Sequence, residues 1–214
     1  MVSLSVAGSA HHLHPAERGT IRLEARHESA DRVEAVEAVA AVHTRLTAEA
    51  ARHQETGAAT RWSAEQVRAS SYVRYDGGPE NTVTVHVASA SVRVRFSDFE
   101  ALAAWVAQVS SEPDITVDGI EWSLTDASRA AAEKAVRIEA VRDAQERANA
   151  YADALSLSRT VVVRLVEPDA EPDRPQPKGM MMRSAAFDSG ASALELTPEP
   201  IAVAATVSVL FEAY

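Results

Sequence analysis

TVTVHVASASVRVRF, residues 82–96, alternates apolar and polar side chains over its whole length. That period of two is the signature of a strand with one covered and one open face. Val83, Val85 and Val87 share one face, but beyond ASAS (88–91) the apolar positions become Val92, Val94 and Phe96. Such a change of phase predicts a bulge, or a strand that passes between two environments. Just upstream, YVRY (72–75) leads into DGGPEN (76–81), whose residues tolerate turn geometry, so a hairpin is expected there.

Outward from this strand, helical and strand patterns are interspersed. SLSVAG (3–8) and TIRLEARH (20–27) read as strands joined by a long turn through Pro15, a predicted β-hairpin. Val33, Val36, Ala40, His43, Leu46 and Ala50 recur at helical spacing, predicting an amphipathic helix over 30–55, capped by Ser29 and ended by Gly57. Ser97 and Glu100 form a capping-box pattern before a helix over 98–110. ITVDGIEWSL (115–124) predicts a strand with a bulge at Asp118-Gly119. The longest helix spans about 126–156, with Ala131, Ala135, Ala144, Ala148 and Ala152 joining Ile138, Val141, Tyr151 and Leu155. TVVVRLVE (160–167) has the composition of a buried strand, ALEL (193–196) of a short edge strand, and IAVAATVSVLFEA (201–213) of a closing strand. The order β-β-α-β-β-α-β-α-β-β predicts an α+β fold of mixed, mostly antiparallel sheets with three helices, read as a single domain over 1–214. A proline-rich irregular loop at 168–199 is longer than most loops in compact domains.

Composition narrows the function classes. The chain of 214 residues has no cysteine, which removes disulfides, thiolate metal sites and cysteine nucleophiles. Its formal net charge of −10 opposes binding to nucleic acid or anionic lipid, so neither is expected as a partner. No apolar run reaches the roughly 20 residues of a membrane helix. MVSLSVAGSAHHLHP (1–15) lacks the features of a signal peptide, so the sequence as written is expected to be cytoplasmic, or periplasmic or envelope-located if trimmed.

No catalytic constellation is recognisable, and no cofactor is expected. Gly77-Gly78 lies in a turn rather than a phosphate loop, and no G-x-S-x-G elbow is present. His12 and His14 would project to one face of a strand and are the weak candidates for zinc or nickel ligands; a polar strand end is the plainer reading. Glu24, Glu28 and Glu121 could pair in space, but among 31 acidic residues solvated carboxylates are the expectation. Trp62, Trp105 and Trp122 are expected in core or interface positions. Met180, Met181 and Met182, with Phe187 nearby, are the interaction candidates: an interface arm, a loosely packed loop, or an oxidation site.

Order and spacing also resemble a known family. The SLSVAGSA strand, TIRLEAR, ASASVRVRFSDFEAL, DGIEWSLTD, the helix AAAEKAVRIEAVRDAQERANAYADAL, VVVRLVE, the Pro/Met-rich loop and PEPIAVAATVSVLFE are similar to SIMPL-domain proteins over essentially the whole chain. The resemblance implies a bacterial, non-enzymatic protein of a family of unknown function. Some members are envelope-associated, some linked to oxidative-stress tolerance, and some form large homo-oligomers. The chain departs from the pattern in lacking an export signal, the glycine usual after the long helix (ALSLSRTV, 154–161) and the Pro-Gly before the last strand (Pro198-Glu199). A self-associating, non-catalytic protein is therefore expected. A small-molecule or metal-binding enzyme using the N-terminal histidines, and a protein-binding module using hairpin 72–84, are the alternatives.

Overall fold

A computed structural model describes residues 1–75, 82–167 and 196–214. Among these are eight strands and three helices in an α+β arrangement, and every strand pairing is antiparallel. They divide into two compact units: residues 1–15, 124–167 and 200–214, and residues 16–75, 82–123 and 196–199.

The first unit holds a three-stranded sheet in the order β1 (Val2–His14), β8 (Ile201–Ala213), β7 (Thr160–Val166). β1 and β8 pair without a break from Val2↔Ala213 to His14↔Ile201. The predicted β1–β2 hairpin is thus corrected, because β1 takes its partner from the far end of the sequence. Alternation marks a strand but not its partner, and β8 offers β1 an equally long strand with Val207, Val209 and Phe211 on the face that Val6 needs. Helix α3 (Asp126–Ala154), capped by the Thr125 hydroxyl, covers that face. It does so through Ala132, Val136, Ala140, Ala144, Ala148 and Ala152, an every-fourth-residue stripe, while Ile138, Val141, Tyr151 and Leu155 are exposed. The predicted stripe was therefore partly wrong: small residues were selected at the seam and the larger ones left outside it. Gly8 completes the fit. A Cβ on Gly8 would overlap the Ala140 carbonyl oxygen and lie 2.6 Å from the Ala144 amide nitrogen. After α3, Ser156 takes the left-handed conformation, φ +59°, that usually calls for glycine.

The second unit is a five-stranded sheet: β3 (Ala59–Ala64), β5 (Thr82–Phe96), β2 (Arg18–Ser29), β6 (Ile115–Ser123), with β4 (Arg68–Tyr75) also on β5. The phase change in β5 marks a change of neighbours rather than a bulge. Its register with β2 is unbroken, while β4 pairs with residues 82–89 and β3 takes over at Val92–Phe96. The bulge in β6 is where the sequence places it: Arg22 faces Gly119 and Leu23 faces Val117, leaving Asp118 as the extra residue, and Gly119 has φ +124°.

Helices α1 (Arg32–Glu55) and α2 (Phe99–Val109) pack on one side of this sheet. Asp31, not Ser29, caps α1; Ser29 accepts from the Asp31 amide instead. Asp98, not Ser97, caps α2, accepting from the amides of Glu100 and Ala101. The Ser97 hydroxyl donates back to the carbonyl of Ala58. The buried side of α1 is Ala35, Val39, Leu46, Glu49 and Ala50, with Val33 exposed, so the predicted face is turned by about one position. Ile21, Leu23, Leu46, Val94, Phe96 and Leu102 are wholly inaccessible at the centre of this core.

Candidate functional site

The unusual surface of the first unit is β7. Helix α3 lies over β1 and β8, and β7 extends beyond this cover at the end of the sheet. Val161, Val162, Val163, Leu165 and Val166 are all exposed, Val163 by 53% and Val162 by 49%. Sequence composition predicted a buried strand, and the structure corrects this: among the described residues neither face of β7 is covered. A three-valine run cannot say whether a neighbouring layer exists to cover it. The register with β8 slips between Val162 and Arg164, so Val163 is an extra residue on the open strand.

Polar contacts fix how β7 lies against the flank of α3. Arg137 Nε donates to Glu167 Oε1 at 3.0 Å, which raises the Arg137 pKa further above its ordinary value. Gln145 Nε2 donates to the Thr160 hydroxyl at 2.7 Å, and that hydroxyl donates to Asn149 Oδ1 at 2.6 Å. Between these two clasps α3 exposes Ile138 and Val141. The result is an apolar strand edge with an apolar helix flank near it, pinned by hydrogen bonds at both ends. An open strand offers unpaired N–H and C=O groups in a row, a template for another strand.

The histidine candidates lie elsewhere in this unit. His12 and His14 do share a face of β1, with ring centroids 6.1 Å apart. His12 Nε2 is 2.8 Å from Glu139 Oε2. Among the described residues no group of three or more potential ligands is assembled. Close by, Asp143 accepts from the Ser9 amide, which lowers the pKa of its carboxyl, and pairs with Arg147. Met180, Met181, Met182 and Phe187 lie outside the described residues, as does most of ALEL (193–196).

In the second unit the most enclosed polar group is Glu49, 7% exposed. Trp105 Nε1 donates to its carboxylate at 2.8 Å, and Arg45 approaches it at 3.4 Å while also pairing with Glu112. His53 stacks edge-on against Phe96 and Trp105. Burial pushes its pKa down, Glu49 opposing and Arg52 reinforcing the shift. The Glu49 carboxylate is held by Trp105 and Arg45, and the cluster ties α1 to α2 within the core. Sequence reasoning expected Trp105 in a core or interface position but gave no sign of Glu49, a helix position that reads as solvated. Glu28 pairs not with another carboxylate but with Arg26 and the Tyr72 hydroxyl. That tyrosine, with Val73 and Tyr75, forms an exposed stretch of β4.

The chain is thus an α+β protein of antiparallel sheets backed by helices, with an open apolar edge as its outstanding surface. It belongs to the SIMPL family, proteins of unknown function (DUF541), which it matches over residues 4–211. No curated protein matches the chain.

Proposed function

We propose that this SIMPL protein is a non-catalytic protein that self-associates, with contacts between copies made through β7 and the exposed flank of α3 and with the 168–199 segment contributing. The observation that carries the reading is the exposure of β7 on both faces among the described residues. Such an edge is a liability unless another chain covers it, and a second copy can do so by antiparallel strand addition about a two-fold axis. The net charge of −10 would keep the assembly soluble. Tolerance of oxidative stress belongs to the same proposal, with Met180–Met182 as the oxidisable residues.

Light scattering on the eluting protein at micromolar concentration tests it: a mass of two or more chains is expected, and a monomer overturns it. Val163→Lys places a charge on the open strand without touching the core, and should lower the mass while leaving the circular dichroism unchanged. Removal of 172–190 separates the two contributions, because a deletion that leaves the mass unaltered assigns the contact to β7 alone. A second reading, a module for another protein, is favoured by the exposed Tyr72, Val73 and Tyr75 on β4. Substituting these by serine distinguishes it, since self-association through β7 would survive.

A further inference from the structure

The face of the five-stranded sheet opposite α1 and α2 carries an uncompensated group of arginines. Arg61 on β3 stands directly across from Arg95 on β5, and Arg93 on β5 directly across from Arg22 on β2. Like charges in directly opposed positions destabilise a sheet. Arg22 is relieved by Asp118, 3.3 Å away at the β6 bulge. Arg61, Arg93 and Arg95 are exposed and make no ion pair among the described residues, in a chain with ten more acidic than basic side chains. They border a shallow groove completed by Thr20, Ser63 and Trp62. The nearest carboxylates in the sheet register are Glu121, opposite Thr20, and Glu24, opposite Ser91, each beside the arginine group rather than within it.

We propose that this groove binds an extended, acidic polypeptide segment whose carboxylates fall at every second residue. Arg93 and Arg95 are two residues apart on one strand, about 6.5–7 Å, which is the repeat of same-side side chains on an extended peptide. Arg61 stands one strand away, about 4.8 Å, so it shares a carboxylate with Arg95 or takes the next one along. Guanidinium groups bind carboxylates in a planar, two-point fashion, and three of them define a direction that a single small anion would not use. Because each exposed pair contributes little, the segment must engage all three at once. This proposal is independent of self-association through β7.

The chain's own sequence supplies a probe of the right spacing: PDAEPD, residues 168–173, with Asp169, Glu171 and Asp173 at alternate positions. A fluorescent peptide of that sequence is titrated into the full chain and into a full-length D169N/E171Q/D173N variant, whose own tract cannot compete. Binding is expected at least to the variant, weakening by about tenfold or more between roughly 0.05 and 0.5 M salt as the charges are screened. The added double change R93S/R95T should lose at least about tenfold in affinity at unchanged melting temperature, and the amide peptide PNAQPN should not bind. Failure of the acidic peptide to bind either protein overturns the proposal. So does binding that R93S/R95T leaves unaltered. Retention of pyrophosphate without the peptide also overturns it, and assigns the groove to small anions instead.

Discussion

The two units place a helix on a sheet by opposite means. In the three-stranded unit α3 meets β1 through Gly8, Ala140 and Ala144, residues with almost no side chain, so backbone lies close to backbone. In the five-stranded unit α1 and α2 meet the sheet through Leu46, Leu102, Trp105 and Phe96, and bulky groups fill a wide gap. A seam made by removing atoms cannot accept an addition; a seam made by filling space cannot accept a loss. The units also differ outside their cores. One ends in an uncovered apolar strand, the other in a polar face crowded with arginine.

The sharpest way to break the comparison is a pair of substitutions followed by urea unfolding. Phe96→Ala should cost about 3–5 kcal/mol, the usual loss for a buried aromatic. Gly8→Ala, one added methyl, should cost about 3 kcal/mol, the upper end of overpacking penalties, because the methyl meets backbone that cannot rotate away. A Gly8→Ala protein as stable as its parent would show that α3 can lift from the sheet, and the contrast would fail.

Next in size is the hydrogen bond inside the filled seam. Trp105→Phe keeps most of the packing but removes the donor to Glu49, and should cost about 1–3 kcal/mol for a buried acceptor left short of a partner. The same seam should show a pH response through His53. Its folded pKa lies below the unfolded value near 6.5, so the unfolded chain takes up the proton first. Stability from this group is complete above that pH and is lost as pH falls toward the folded pKa. Melting temperature should decline across that window, and His53→Phe should flatten that part of the profile. An identical decline in the variant would remove His53 as its source.

The smallest effect belongs to the end of α3. Ser156→Gly should stabilise by up to about 1 kcal/mol, since glycine occupies the left-handed region without a Cβ clash. Thermal unfolding checks the sign, and a lower melting temperature would mean that the serine side chain compensates its own strain.

What could be read from the sequence follows what each signal depends on. Alternation in 82–96 and the glycine at 119 are local properties, so the long strand and the bulge at Asp118 were visible in the residues. The partner of β1 was not, because pairing with β8 is a contact across almost the whole chain. The face of α3 was only half legible: with alanine on nearly every side, hydrophobicity does not choose between stripes, and the decision rests on the clearance that Gly8 provides. Ser97 and Asp98 are neighbours that can both cap a helix, and backbone geometry chose the second. Exposure of β7 depended on which strands α3 is broad enough to cover. The arginine group on the open sheet face was invisible as a site, since Arg61 and Arg93 come together only through strand register.

The long ladder between β1 and β8 has a consequence for the chain while it is being made. β1 is translated before every strand of the second unit, yet its partner β8 emerges only after all of them. During that interval the segment 16–123 supplies every strand of its own sheet, whereas β1 must wait for β8 before it can form its ladder. Distant contacts of this kind slow folding, and until β8 arrives the unpaired strand is open to aggregation or to capture by a chaperone.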